Sequence, residues 1–276
     1  MKRLSFPIIM LICGYLFLYI PILTMMVQSF NESQLATNWG GFSLRWYGEL
    51  FENRQVKEAL WLSVRIAIVS ATFATLLGTC AGMALARFRK FKGRRLFSGM
   101  IAAPLVMPEV ITGLSLLVLF IAMEGLLGWP AGRGVGTITI AHITFSMAFV
   151  AVIIQARLAG HDNSLEEAAQ DLGARPLRVL LDITLPLMVP GMLAGWLLAF
   201  TLSFDDLVIS SFVSGPGSNT LPMYIYSRVK LGVKPDINAL AAIIICLVAI
   251  GVLVSAFLMR QQQRKNAQQA KDADIR

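Results

Sequence analysis

The sequence predicts an all-α integral membrane protein of about six transmembrane helices. Three observations lead there. Of the 276 residues, 56% are hydrophobic and only 14% are charged, whereas a soluble domain carries about 25% charged residues. The charges fall in short clusters separated by apolar runs of about 20 residues, the length that crosses a ~30 Å hydrocarbon core. The basic residues sit at the ends of those runs, not along an amphipathic face, so a net charge of +8 points to a bilayer and not to nucleic acid. A soluble helical bundle, the competing all-helical fold, spreads its charges along every helix.

The first run, Phe6–Ser29, follows Met1-Lys2-Arg3. A signal peptide begins the same way. However, the uncharged stretch from Leu4 to Asn31 is too long for a signal core and no small-x-small cleavage site follows, so an uncleaved span is expected. The second run, Leu60–Ala86, holds Arg65 near its outer end, where the side chain reaches the interface. The third, Phe97–Ala122, contains Pro104, Pro108 and Glu109; the fourth, Thr137–Gln155, contains His142, which reads as a hydrogen-bonded packing residue. The fifth, Pro190–Val213, contains Asp205 and Asp206; the sixth, Ala239–Met259, precedes a Gln-, Lys- and Arg-rich tail. Cys13, Cys80 and Cys246 each fall inside an apolar run and read as small buried hydrophobes, without disulfide or metal spacing.

Six spans put both termini on one side. With the N-terminus inside, sixteen of the 24 lysines and arginines fall on cytoplasmic stretches and seven on outer ones, the bias that sets orientation. The cluster from Arg87 to Arg95 weighs most. Both termini are therefore expected to be cytoplasmic. Two outer connections are long: Asn31–Ala59, with Trp39, Trp46 and Tyr47, and Ser214–Asn238, with Gly215-Pro216-Gly217. Their aromatics fit an interfacial belt.

The connection between the fourth and fifth runs is too structured to be a simple link. Ser164 with Glu167 three residues later reads as a capping box, and Leu165, Ala168, Ala169 and Leu172 then share one apolar face. Gly173 suits the left-handed position that ends a helix. Pro176 is placed to begin a second short helix that Pro186 and Pro190 close. A helix this short is marginal alone and needs something to dock against. The alternative is a helix lying on headgroups, which Asp162, Glu166, Glu167 and Asp171 disfavour on an anionic leaflet.

Glu167-Ala168-Ala169, Gly173 and Ile183-Thr184-Leu185-Pro186 resemble the E-A-A-x3-G-x9-I-x-L-P signature of binding-protein-dependent ABC importer permeases. The resemblance implies a type I importer (MetI-like) fold. Residues 1–276 then form one transmembrane permease domain, with a cytoplasmic coupling loop at about 158–189 and a polar cytoplasmic tail at 260–276. It further implies that Glu167, Ala168, Ala169, Asp171, Leu172, Gly173 and Pro186 couple the chain to an ATPase. The implied partners are a second permease subunit, an ATP-binding subunit dimer and a periplasmic substrate-binding protein, with the chain in a bacterial inner membrane. The sequence lacks G-x-x-x-x-G-K-[ST], so it has no Walker A cradle for nucleotide phosphates. A non-catalytic subunit is expected, with no cofactor or metal of its own; ATP and Mg belong to the partner ATPase.

The intramembrane carboxylates bear on what crosses. Asp205-Asp206 lie about 15 residues beyond Pro190, roughly 22 Å along a helix, and Glu109 lies about 12 residues into the third run, near mid-depth. A charged group facing lipid costs at least ~2.5–3.5 kcal/mol, so these carboxylates are expected to face the bundle interior or a water-filled path, which favours a cationic solute. The structural alternative has Asp205 capping a helix break and Glu109 bonding backbone freed by Pro104 and Pro108. The stretches from Ala103 to Ser115 and from Leu202 to Gly217, with Leu221-Pro222-Met223, are similar to polyamine permeases, the putrescine branch most of all. That likeness implies a substrate pathway past Asp205, Asp206 and Glu109, with Trp46 and Tyr47 at the outer mouth or against the binding protein.

Other readings stay open at this point. A permease of the same architecture for spermidine, ferric iron or thiamine is one. A channel or ion-coupled secondary transporter is another, although no internal repeat is evident. An intramembrane enzyme is a third, without an HExxH or nucleophile–base arrangement to support it.

Overall fold

In hydrocarbon every backbone N–H and C=O needs an internal partner, so apolar runs of this length fold as helices. The computed structural model describes residues 6–33, 38–88, 90–160, 164–232, 234–251, 253 and 257. Its helices are α1 (Phe6–Gln28), α2 (Arg45–Glu52), α3 (Arg54–Arg87), α4 (Arg94–Val106), α5 (Glu109–Leu127), α6 (Val135–Ala159), α7 (Ser164–Asp171), α8 (Pro176–Val179), α9 (Leu185–Phe204), α10 (Val208–Val213) and α11 (Leu221–Leu231). A twelfth, α12, spans Pro235–Gly251. A five-residue π-helical turn, Leu180–Thr184, joins α8 to α9. Among the described residues the β pairing is limited to one bridge, Asn31 with Phe42.

Among the described residues five helical stretches are long and apolar enough to cross a bilayer: Phe6–Gln28, Arg54–Arg87, Glu109–Leu127, Val135–Ala159 and Pro176–Phe204; Pro235–Gly251 is a shorter sixth. Two spans differ from the sequence reading. The third is not Phe97–Ala122. The chain breaks at Met107 and Pro108, both in extended conformation, and α5 starts at Glu109. Proline disfavours helix for the residue before it, which puts the break at Met107. Glu109 thus sits in the first turn of a helix that begins there, not midway along one continuous Phe97–Ala122 helix. The fifth span also runs on where a stop was expected. Pro186 falls in the first turn of α9, where proline costs no helix bond, and Pro190 lies inside it, as membrane helices tolerate. The helix ends instead at Phe204, and α10 begins anew at Val208.

The chain forms two compact units, Met1–Arg54 with Ile225–Arg276, and Gln55–Tyr224. In the first, Asn31 organises the connection after α1. Its Oδ1 accepts from the N–H groups of Ser33 and Gly40, its Nδ2 donates to Asn38 O, and its own carbonyl accepts the Trp46 indole N–H at 2.7 Å. Phe30 stacks on Phe42 and tilts against Tyr47.

In the second unit α6 is the axis, buried along most of its length. Two glycine pairs let neighbouring helices close on it. On α3, a Cβ added at Gly78 would lie 2.6 Å from Val150 Cβ, and one at Gly82 would lie 2.6 Å from Ala151 O. On α9, Gly191 and Gly195 meet Arg157, Ile154 and Val150. Small residues four apart are how membrane helices achieve close backbone packing. Val150, Ile154, Leu158, Met188 and Ala199 form the core between them, and Ile138, Phe145, Leu116, Phe120, Ile209 and Val213 a second core. The cysteines correct the sequence reading: Cys13, Cys80 and Cys246 are all exposed; around Cys80 the buried stripe of α3 is taken by smaller residues such as Gly78 and Ala81, and α1, which carries Cys13, buries none of its residues.

Candidate functional site

Two constellations in the second unit carry chemistry. The first is built on α7. The helix begins at Ser164, one position earlier than a capping box with that residue as N-cap requires; residues 161–163, and with them Asp162, lie outside the described residues. Its end matches the sequence reading. Gly173 takes φ +88°, the Ala174 N–H reaches Ala169 O at 3.0 Å and the Gly173 N–H reaches Gln170 O at 2.8 Å. This is the paired bonding of a left-handed helix stop.

No residue of α7 is buried. Leu165 is 59% exposed and Leu172 90% exposed, and Ala168 between them is exposed too. The apolar stripe of this helix faces outward, away from the chain. Ala169, expected on the same stripe, lies at its edge and is partly covered, as is Glu166. Residues three apart share a helix face, and successive residues point about 100° apart. Glu166 therefore turns in while Glu167 stays exposed. Glu166 Oε1 takes the Arg87 guanidinium in an ion pair and accepts the Thr184 hydroxyl at 2.8 Å. Asp171 and Pro186 are exposed.

The second constellation is the break between α9 and α10. Asp205 is the C-cap of α9, its N–H bonded to Thr201 O, and the residue is exposed. Asp206 points the other way. Its Oδ1 accepts from Ile209 N–H at 3.1 Å and its Oδ2 from Ser210 N–H at 2.7 Å, which caps α10. The same Oδ2 lies 3.0 Å from His142 Nε2. A carboxylate only accepts, so Nε2 carries the hydrogen. His142 also meets Ser203 Oγ at 2.7 Å through Nδ1. With side chains only 2% and 7% exposed, His142 and Asp206 join α6 to both sides of the break.

Sequence reasoning placed the two carboxylates together but missed that they have different environments, and it missed His142 as the partner. Three stacked rings on α9 lead up to Asp205: Trp196 on Phe200 with centroids 5.5 Å apart, and Phe200 on Phe204 at 5.8 Å. Their i, i+4, i+8 spacing is legible in the sequence, where it reads only as part of an apolar run. Glu109 is exposed at the start of α5. Four residues on, Gly113 packs against Ile209 and Phe212 of α10.

Trp46 and Tyr47 belong to the first unit. Trp46 is 4% exposed with its N–H given to Asn31 O, and the Tyr47 hydroxyl lies 2.7 Å from Ser29 Oγ.

A model of the family described as binding-protein-dependent transport system inner membrane component matches residues 78–268. The chain is 52% identical to the putrescine transport system permease protein PotI of Escherichia coli K12, over 95% of this chain and 94% of that one. It is 43% identical to the spermidine/putrescine transport system permease protein PotC of the same organism, over 91% and 93%. Among solved structures it resembles a chain of a bacterial ABC transporter involved in the import of the acidic polysaccharide alginate, with TM-score 0.69 and 16% identity, covering 92% of this chain and 94% of that one. A chain of the MetNI methionine ABC transporter superimposes with TM-score 0.58 and 17% identity, covering 73% and 92%.

Proposed function

Because the chain belongs to the binding-protein-dependent transport system inner membrane components, we propose that it is a permease subunit of an ATP-driven importer of putrescine. The whole chain acts as one permease domain. It forms the pathway with a second permease subunit, receives solute from a periplasmic binding protein and is driven by an ATP-binding subunit dimer that uses ATP and Mg. The chain itself hydrolyses nothing and holds no cofactor.

One observation carries the reading: the outward apolar stripe of α7, with Leu165 and Leu172 mostly exposed. A polar two-turn helix has no reason to hold such a stripe in water unless another surface covers it. Glu167, Ala168 and Leu172 form the docking surface for the ATPase, while Gly173, Asp171 and Pro186 shape its exit into the next span. The Arg87–Glu166 pair brings α7 to the same end of its unit as the basic stretch after α3. By the positive-inside rule that end is cytoplasmic, which supports cytoplasmic termini.

The solute reading rests on the 52% identity to a putrescine permease and on the exposed Asp205 at the head of the stacked rings. A diammonium chain suits carboxylates by Coulomb attraction and ring faces by cation–π contact. Asp205 and Glu109 meet the solute; Asp206 holds the break from which Asp205 projects. Trp46 and Tyr47 brace the outer connection that the binding protein meets, since their polar tips are already engaged.

The test is uptake of labelled putrescine, with spermidine as competitor, into proteoliposomes holding the chain with its partners. Asp205→Asn is expected to lower kcat/KM about tenfold, equivalent to ~1.4 kcal/mol. Unchanged uptake by that variant removes the carboxylate from the pathway. Accumulation that persists with ATP hydrolysis blocked by vanadate overturns the ATP-driven reading in favour of a channel or secondary transporter.

A further inference from the structure

We propose that Glu166 is the positioning residue through which force on α7 reaches two membrane helices at once. The inference rests on the ATP-driven reading above and concerns how the stroke is passed on.

The observation is a three-element node. Glu166 lies on the inward side of α7, and its Oε1 is shared between Arg87, the last residue of α3, and the hydroxyl of Thr184, the last residue of the π-helical turn below α9. The node is sheltered: the Glu166 side chain is 16% exposed, the Arg87 side chain 27%, and Thr184 as a residue 5%. Its neighbour Glu167, one residue on, is exposed and takes no part.

The two glutamates divide the work. Glu167 belongs to the face that meets the motor, and Glu166 to the face that grips the permease. Besides this node, α7 packs against α8 and the wide turn next to it in the chain, contacts that pass a push on α7 into that local segment. With Glu166 in place, the same push also pulls the end of α3. That end is itself held stiff, because Arg94 donates to the carbonyls of Leu85 and Phe88. On the other side the pull lands on a π-turn, a distortion that concentrates at functional points of helices. Both helices it reaches, α3 and α9, close on α6 through glycines, and the Trp196 indole N–H of α9 reaches Thr72 Oγ1 of α3 at 3.2 Å, so the node acts on two members of one mutually packed trio.

The experiment uses the complete importer in proteoliposomes and reads solute accumulated per ATP hydrolysed. Glu166→Gln and Arg87→Gln are each expected to lower that ratio about tenfold, the scale of a typical coupling free energy, while the ATPase still co-purifies. The charge-exchanged pair Arg87→Glu with Glu166→Arg is expected to recover at least half of the loss in the ratio. Thr184→Val, which removes one hydroxyl without touching the ion pair, is expected to give an intermediate ratio and guards against misfolding of the charge variants. An unchanged ratio in Glu166→Gln overturns the proposal. Loss of the ATPase from the purified complex also overturns it, by making Glu166 part of the docking surface. If the unsubstituted complex accumulates solute without ATP, the parent reading has failed, and the inference goes with it by a separately recognisable route.

Discussion

Asp206→Ala separates a carboxylate that holds structure from one that meets solute. The substitution deletes the acceptor for Ile209 N–H and Ser210 N–H, a lost helix cap worth about 1 kcal/mol. It also leaves the His142 Nε2–H, 2% exposed as a side chain, without its charged partner; hydrogen bonds to charged groups contribute about 1.5–3 kcal/mol. Interhelical polar contacts in membranes average nearer 0.6 kcal/mol, so the expected loss is about 2 kcal/mol. Asp206→Asn keeps one acceptor and should lose about half of that by the same reasoning. Asp205→Ala, at an exposed position, should stay within about 0.5 kcal/mol. Thermal unfolding of the purified complex in lipid nanodiscs ranks the variants: Asp206→Ala lowest, Asp206→Asn between, and Asp205→Ala with the parent. A double substitution of Asp206 and His142 should cost clearly less than the two singles added together, because they remove one shared interaction. Equal melting points for Asp205→Ala and Asp206→Ala, or strict additivity of Asp206→Ala with His142→Ala, would refute the assignment.

The glycine contacts and the helix stop give two further tests. Gly82→Val places a Cβ 2.6 Å from Ala151 O and 2.9 Å from Ile154 Cβ, so it should destabilise by about 1–3 kcal/mol as overpacking does; Gly99→Val, which meets nothing within 4 Å, serves as the control in the same melting assay. Gly173→Ala forces a side chain onto φ +88° and should cost about 1 kcal/mol, read as roughly fivefold faster hydrogen exchange at the amides of residues 168–172.

The sequence reading was strongest where a single physical demand acts alone. A bilayer requires about 20 apolar residues per crossing, and Phe6–Gln28 and Val135–Ala159 follow from that demand with small boundary shifts. Gly173 was equally legible, since ending a helix in the left-handed conformation is the habit of that residue. The misreadings have a common cause. Whether Pro108 breaks a helix while Pro190 does not depends on the hydrogen-bond register around each, and Pro186 sits beside a wide turn that no residue pattern announces. Spacing alone does not say which side of α7 faces its neighbours; the contacts of Glu166 with Arg87 and Thr184 show that side, and they leave Ala169 partly covered at the edge of the stripe. The partnership of His142 with Asp206 joins residues 64 positions apart, and hydropathy along one chain is silent about such a pair.

The wide turn at Leu180–Thr184 makes the stretch from Pro176 to Phe204 continuous in path but interrupted in phase. An i→i+5 turn holds one residue more than an α-turn, and moving that surplus residue along the rod rotates the intervening segment by about 100° with a change of about 1.5 Å in rise. The two ends can therefore swivel against each other while the backbone bonds simply trade partners. A span of this kind can change which side chains it shows to its surroundings without ever coming apart.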